Sequence, residues 1–178
     1  MVTLDFVFYM FVVLAAIVGA LRGWAKELLV AFSVILAIFV LTVLETFVGF
    51  FSEYLAANGP TAKFWASSLV VFVLALAGYQ TPNIRALAQS AVREKFQDSL
   101  LGAILGAVNG YLIIGSIWFY LDQAGYPFSY FISPHTGGGA AVSTTLTLIA
   151  YLPPAWLAVP TIYFAVAIAF TFVVIVFI

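Results

Sequence analysis

Side chains that can move protons, hold metals or attack an electrophile are scarce in this chain. Its 178 residues include seven Asp and Glu, six Lys and Arg, one His and no Cys. Without thiols there is no disulfide, thiolate metal site, haem-attachment motif or cysteine nucleophile. An ionisable residue inside a membrane marks a functional site by default, and within the apolar stretches Glu45 is the only candidate. It stands near the end of its stretch with Lys63 and Glu53 as local partners, so it reads as an interfacial acid. A proton path needs a chain of such groups, and the spans hold none. His135 lies in Ser133-Pro134-His135-Thr136-Gly137-Gly138-Gly139. One imidazole without a second ligand does not make a metal centre, and the glycines lack the Lys-Ser/Thr of a phosphate loop. No Ser/His/Asp set, carboxylate pair or metal-ligand cluster falls within the spans. The expectation is a protein that is not an enzyme and carries no cofactor. Aromatic residues, 17% of the chain with 18 Phe, leave contact with a pigment, a quinone or lipid open.

The most specific pattern is one of small residues. Gly102, Gly106 and Gly110 recur every four residues, with Asp98 one step earlier. On a helix this spacing lines one face, and the missing side chains let another backbone approach closely. Asn109, three residues after Gly106, borders that face. An amide in mid-membrane needs a hydrogen-bond partner on another helix, worth roughly 0.5–2 kcal/mol. Gly19 and Gly23 form a second small-residue pair flanking Arg22. These glycines read as helix-packing residues, with the first and fourth helices of one chain against each other. The same packing rule allows a homodimer seam as the alternative.

The elements that position these residues are set by composition. Hydrophobic residues are 65% and charged residues 7%, with a mean hydropathy of +1.19. A soluble domain has about 25% charged residues, and a small globule cannot hide this much apolar surface from water. A water-soluble fold, a disordered chain and a nucleic-acid binder are excluded; the solvent is lipid. The net charge of -1 implies no strong bulk attraction to charged partners. Charged residues divide the chain into apolar spans at about 6–21, 28–48, 64–79 and 99–121, with a last helix at 155–178 containing Pro160. The first lacks the basic leader of a cleaved signal and reads as a retained helix. Asn58-Gly59-Pro60 is turn chemistry. Residues 81–98 alternate apolar and charged positions at helical spacing and read as an amphipathic interfacial helix, with Thr81 as N-cap and Pro82 at its first position. The alternative for this stretch is a helical extension of a neighbouring span. The fold class is all-α: a polytopic integral membrane protein with about five transmembrane helices plus the interfacial helix. Arg22, Lys26, Arg85, Arg93 and Lys95 cluster in alternate connections, which predicts cytoplasmic basic anchors, an outside N-terminus and a cytoplasmic C-terminus.

Leu4-Asp5, the span ending Gly19-Ala20-Leu21-Arg22-Gly23, the following Glu27 and the Asp98-Gly102-Gly106-Gly110 ladder resemble the colicin V production protein family. The resemblance covers about residues 1–122. It implies a four-helix membrane core there, containing the interfacial helix, in the bacterial inner membrane. It also implies a non-enzymatic scaffold or accessory role linked to toxin production or export. Residues 123–178, an almost uncharged loop and an additional transmembrane helix, fall outside that pattern. They are expected to dock a partner rather than complete the core. Two other roles stand beside the first: a small structural subunit of a larger respiratory or photosynthetic membrane complex, and a small channel or transporter component. The expected partners are the lipid bilayer and other membrane subunits or further copies of the chain, with no nucleic acid.

Overall fold

The structure, a computed structural model, describes residues 4–80, 95–127 and 147–177. These residues form α1 (Leu4–Arg22), α2 (Trp24–Phe47), α3 (Gly49–Tyr79), α4 (Lys95–Gln123), the short α5 (Pro153–Trp156) and α6 (Thr161–Phe177). Four of them, α1 to α4, are long and apolar enough to cross a membrane. At about 1.5 Å per residue each reaches or nearly reaches the roughly 30 Å of a hydrocarbon core. The fifth expected span is the short one. α6 has 17 residues because the chain does not run on as one helix from Ala155. Pro160 has no N–H to donate to the preceding turn, and its ring keeps Val159 out of helical geometry. The helix therefore stops at Trp156, where the Leu157 N–H closes onto the Pro153 carbonyl at 2.8 Å, and restarts at Thr161.

The segment expected to be a turn around Asn58-Gly59-Pro60 is a kink inside helix instead. Gly59 has φ 76°, and helix continues on both sides of it. Only glycine adopts that backbone without strain. The Asn58 amide donates to the Tyr54 carbonyl at 2.8 Å, satisfying an acceptor in the turn before the bend. Of the expected interfacial helix, residues 81–94 lie outside the described residues. Residues 95–98 form the first turn of α4, continuous with the span that follows.

The bundle is organised around α4. It packs most extensively on α1, and also on α2, α3 and α5. α2 in turn contacts α3 and α6, while α1 and α2 touch little despite being joined by one residue. The main core is built from Val30, Val34, Ile38 and Leu41 of α2, Val71 and Ala75 of α3, Leu112 and Leu121 of α4, and Ile162 of α6. A second cluster joins Phe8, Trp118 and Leu152. Lipid is as apolar as these side chains, so close packing and interhelical hydrogen bonds, rather than escape from water, hold the helices together. The outward faces of α1 and α6 expose large apolar residues such as Phe6, Phe11, Ile17, Phe164 and Ile168, the surface expected against acyl chains.

α4 ends in a turn with Gly125 at φ 67° and Tyr126 at φ 56°, and the Tyr126 N–H returns to the Leu121 carbonyl at 3.2 Å. The buried Tyr126 hydroxyl accepts from Trp118 Nε1 at 3.2 Å. Burial pushes that hydroxyl up to about 12. The described residues of the C-terminal segment pack on the core. Leu152, Leu157 and Ile162 are almost wholly enclosed. Tyr163 meets Phe39, and Phe170 meets Phe32, at ring distances of 6.1 and 6.3 Å.

Candidate functional site: a polar cluster at the α1–α2 hinge

α1 and α2 are separated only by Gly23, at φ 87°. A side chain there would be strained by the backbone and would also meet the Asp98 carboxylate at 2.7 Å. That carboxylate accepts from the Trp24 N–H at 3.1 Å. It supplies an acceptor to a free donor at the start of α2, where the helix dipole favours negative charge. One residue on, Ser99 Oγ donates to the Ala20 carbonyl at 2.9 Å, satisfying the end of α1. The first turns of α4 thus cap both helices that meet at the hinge.

Arg22 lies in the last turn of α1 and Glu27 in the first turn of α2, each at the end where the helix dipole favours its charge. The Arg22 guanidinium donates to Glu27 Oε1 and to the Tyr79 carbonyl at 3.0 Å. It also stacks 4.5 Å from the Tyr79 ring centroid, a cation–π contact at the end of α3. From α4, Asn109 Nδ2 donates at 2.8 Å to both the carbonyl and Oε2 of Glu27. Asn109 is the central residue of α4, with fourteen on either side. Glu27 and Asn109 are fully buried, whereas the Arg22 side chain is 20% exposed. Both Glu27 oxygens are therefore engaged: α1 and α4 meet the carboxylate of α2 directly, and α3 joins through Arg22. Asn109 Oδ1 is buried without a hydrogen-bond partner. Its amide orientation is dictated by the acid, which accepts from the NH₂ and would repel the oxygen.

The glycines lie on a different face of α4. A Cβ on Gly19 would sit 2.2 Å from the Gly102 carbonyl, one on Gly102 2.3 Å from the Gly19 carbonyl, and one on Gly106 2.3 Å from the Ala15 carbonyl. One on Gly110 would meet the Ala15 side chain at 2.8 Å and Val12 Cα at 3.0 Å. The structure thus brings Gly19, Gly102, Gly106 and Gly110 together at the α1–α4 seam, with Gly23 at its end and α1 of the same chain filling the groove. Asn109 turns from this seam to α2.

Among the expected basic anchors, Arg22 sits in the cluster, Lys26 is half-buried beside it and Lys95 is exposed at the start of α4. Arg85, Arg93 and His135 lie outside the described residues. Glu45 pairs with Lys63 at 2.9 Å, while Glu53 is exposed. The residue that sequence reasoning misses is Glu27, which follows the charged Arg22 and Lys26 outside the expected apolar spans yet is fully enclosed. A signal was present: Asn109, a mid-span amide in need of a partner, and a carboxylate four residues after the Gly23 break.

The four long apolar helices make the chain a multi-pass membrane protein in contact with lipid. No curated protein and no solved structure matches it. The family model of the colicin V production protein matches residues 4–134, a stretch that contains the whole hinge cluster and glycine seam and extends past Asp122. The chain belongs to the colicin V production protein family.

Proposed function

We propose that the protein is a non-enzymatic scaffold or accessory protein of the bacterial inner membrane that supports toxin production or export by contact with other membrane proteins. The observation that carries this reading is the use made of the buried charge. Arg22, Glu27 and Asn109 spend their hydrogen bonds tying α1, α2, α3 and α4 into one frame, which suits a rigid platform. Gentle solubilisation, native mass and identification of co-migrating chains test it. Co-migration with export or toxin-maturation components is the expected result. A stand-alone species whose deletion leaves toxin release unchanged contradicts it, and co-migration with a respiratory or photosynthetic complex would reassign it as a subunit there.

The proposed orientation is N-terminus outside, with the Arg22–Lys26 hinge in the cytoplasm. If α6 also spans, the C-terminus is cytoplasmic. Arg22 reaching the Tyr79 carbonyl supports this reading, because it brings the hinge to the same end as the connection holding Arg85, Arg93 and Lys95, as the positive-inside rule requires. In this cysteine-free chain, Ser90→Cys should be labelled by a membrane-permeant maleimide and protected from an impermeant one. Labelling from outside reverses the topology.

A further inference from the structure

The end of the bundle opposite the hinge carries charge that helix packing does not consume. Glu45 stands in the last turn of α2 and Lys63 in the first turn after the α3 kink. Lys63 Nζ donates to Glu45 Oε2 at 2.9 Å. That bond uses one of two carboxylate oxygens and one of three ammonium N–H groups. Both side chains stay about a third exposed, at 31% for Glu45 and 34% for Lys63. Two open clefts meet at the pair. One, of about 390 Å³, runs between α2, the end of α4 and residues 154–159. The other, of about 520 Å³, lies in the elbow of α3. Glu45, Lys63 and Gln123 line both. These volumes fall in the range of small-molecule sites, roughly 300–1,000 Å³.

We infer that this is a binding site for a zwitterionic amine–phosphate group of the phosphoethanolamine class, seated against the Glu45–Lys63 pair. An ammonium offers N–H donors to the Glu45 carboxylate. A phosphate accepts from Lys63, from the Gln123 amide and from the Thr46 hydroxyl, all of which line the first cleft. A ligand of one sign would bring a like charge against one member of the pair, whereas a zwitterion meets both with charge-assisted hydrogen bonds. The position selects a lipid source. Glu45 stands at the end of a 24-residue apolar helix, which is headgroup depth, and Ile38 and Leu41 continue the same cleft toward the bilayer interior. The same headgroup chemistry is available from soluble glycerophosphoethanolamine. The inference rests on the membrane-spanning reading of α2 and α3 and is independent of the scaffold role.

The test uses the full chain in nanodiscs of mixed phosphatidylethanolamine, phosphatidylcholine and phosphatidylglycerol, read by native mass spectrometry of retained lipid. Wild-type protein should retain phosphatidylethanolamine with about tenfold preference, the scale of one charge-assisted hydrogen bond. The methylated amine of phosphatidylcholine cannot donate to Glu45, and phosphatidylglycerol has no amine. Glu45→Gln and Lys63→Met should each bring the preference close to parity. Equal retention of phosphatidylethanolamine and phosphatidylcholine by the wild type overturns the inference, and that comparison needs no variant to fold. A wild-type preference that survives intact in either folded variant also overturns it, by placing the site elsewhere. Titration with glycerophosphoethanolamine separates the sources. Displacement of the retained lipid would show that the headgroup alone suffices; retention would show that the acyl chains are needed. Both results uphold the amine–phosphate site.

Discussion

Glu27 is a carboxylate fully enclosed in a lipid-solvated bundle, and its surroundings make the consequences of substitution unequal. Arg22→Met removes the counter-charge from a group with no access to water. Breaking a buried pair in this way costs about 3–5 kcal/mol. Glu27→Gln leaves Arg22 with the Tyr79 carbonyl, the Tyr79 ring and partial exposure, so the loss should be smaller, about 1–3 kcal/mol. The double variant Arg22→Met/Glu27→Leu should be more stable than Arg22→Met alone, because no charge is left stranded. Equilibrium unfolding in mixed micelles checks the order, and a double variant no better than Arg22→Met contradicts it. Asn109→Asp sets a second carboxylate against Glu27. It should destabilise the bundle more than Asn109→Leu, which removes the amide without adding a like charge. Equal losses for the two variants would mean that the two side chains do not meet. The sequence discloses Asn109's need for a partner. It does not disclose Glu27's burial, since an acid in the first turn of a helix is normally solvated, and α4 laid across that turn is what excludes water.

Helix contacts depend on how closely two backbones approach. At Gly106 the atom that would meet a new Cβ is the Ala15 carbonyl oxygen at 2.3 Å, part of a helix backbone that cannot rotate aside. Gly106→Ala should therefore already force α1 off α4, and Gly106→Leu more so, with loss of folded protein measured by size-exclusion chromatography of detergent extracts. Gly49→Ala, with nothing within 4 Å of its Cβ position, is the matched control and should leave the yield unchanged. Equal yields for Gly106→Ala and Gly49→Ala would show that the seam yields. The four-residue ladder was legible because it is a property of one helix. That α1 fills it, and not a second copy of the chain, depends on a contact between segments about eighty residues apart, such as Ser99 to Ala20. The α3 kink was half legible. Asn-Gly-Pro signals a reversal, but flanking residues that all favour helix reduce it to a bend.

Across the whole molecule, the C-terminal segment behaves as part of the core. Ile162 and Leu157 cover α2 and the end of α4. Trp156 Nε1 donates to the Tyr111 hydroxyl at 2.9 Å, and that hydroxyl donates to the Tyr151 carbonyl. Truncation after Asp122 uncovers these faces. The shortened chain should fail to accumulate in membranes, as measured by immunoblot of membrane fractions. A truncated protein that inserts at wild-type levels would show the tail to be dispensable to the fold.

Some properties of this protein follow from single residues and their near neighbours, and these the chain declares directly. A 65% hydrophobic composition sets lipid as the solvent. Helical class follows because the apolar runs are long enough to cross lipid as helices, which satisfy their backbone groups within one segment. The glycine ladder, the grouping of basic residues and the Asn109 amide are likewise local patterns. Other properties arise only when distant segments meet: a Glu27–Asn109 bond across 82 residues, an Arg22–Tyr79 contact across 57, the tail folded onto α2, and clefts on either side of Glu45 and Lys63. Each depends on which helix faces fit together and which groups the fit shuts away from water. That choice belongs to the packed bundle, because residues far apart in the chain carry no mark of one another until their helices are side by side.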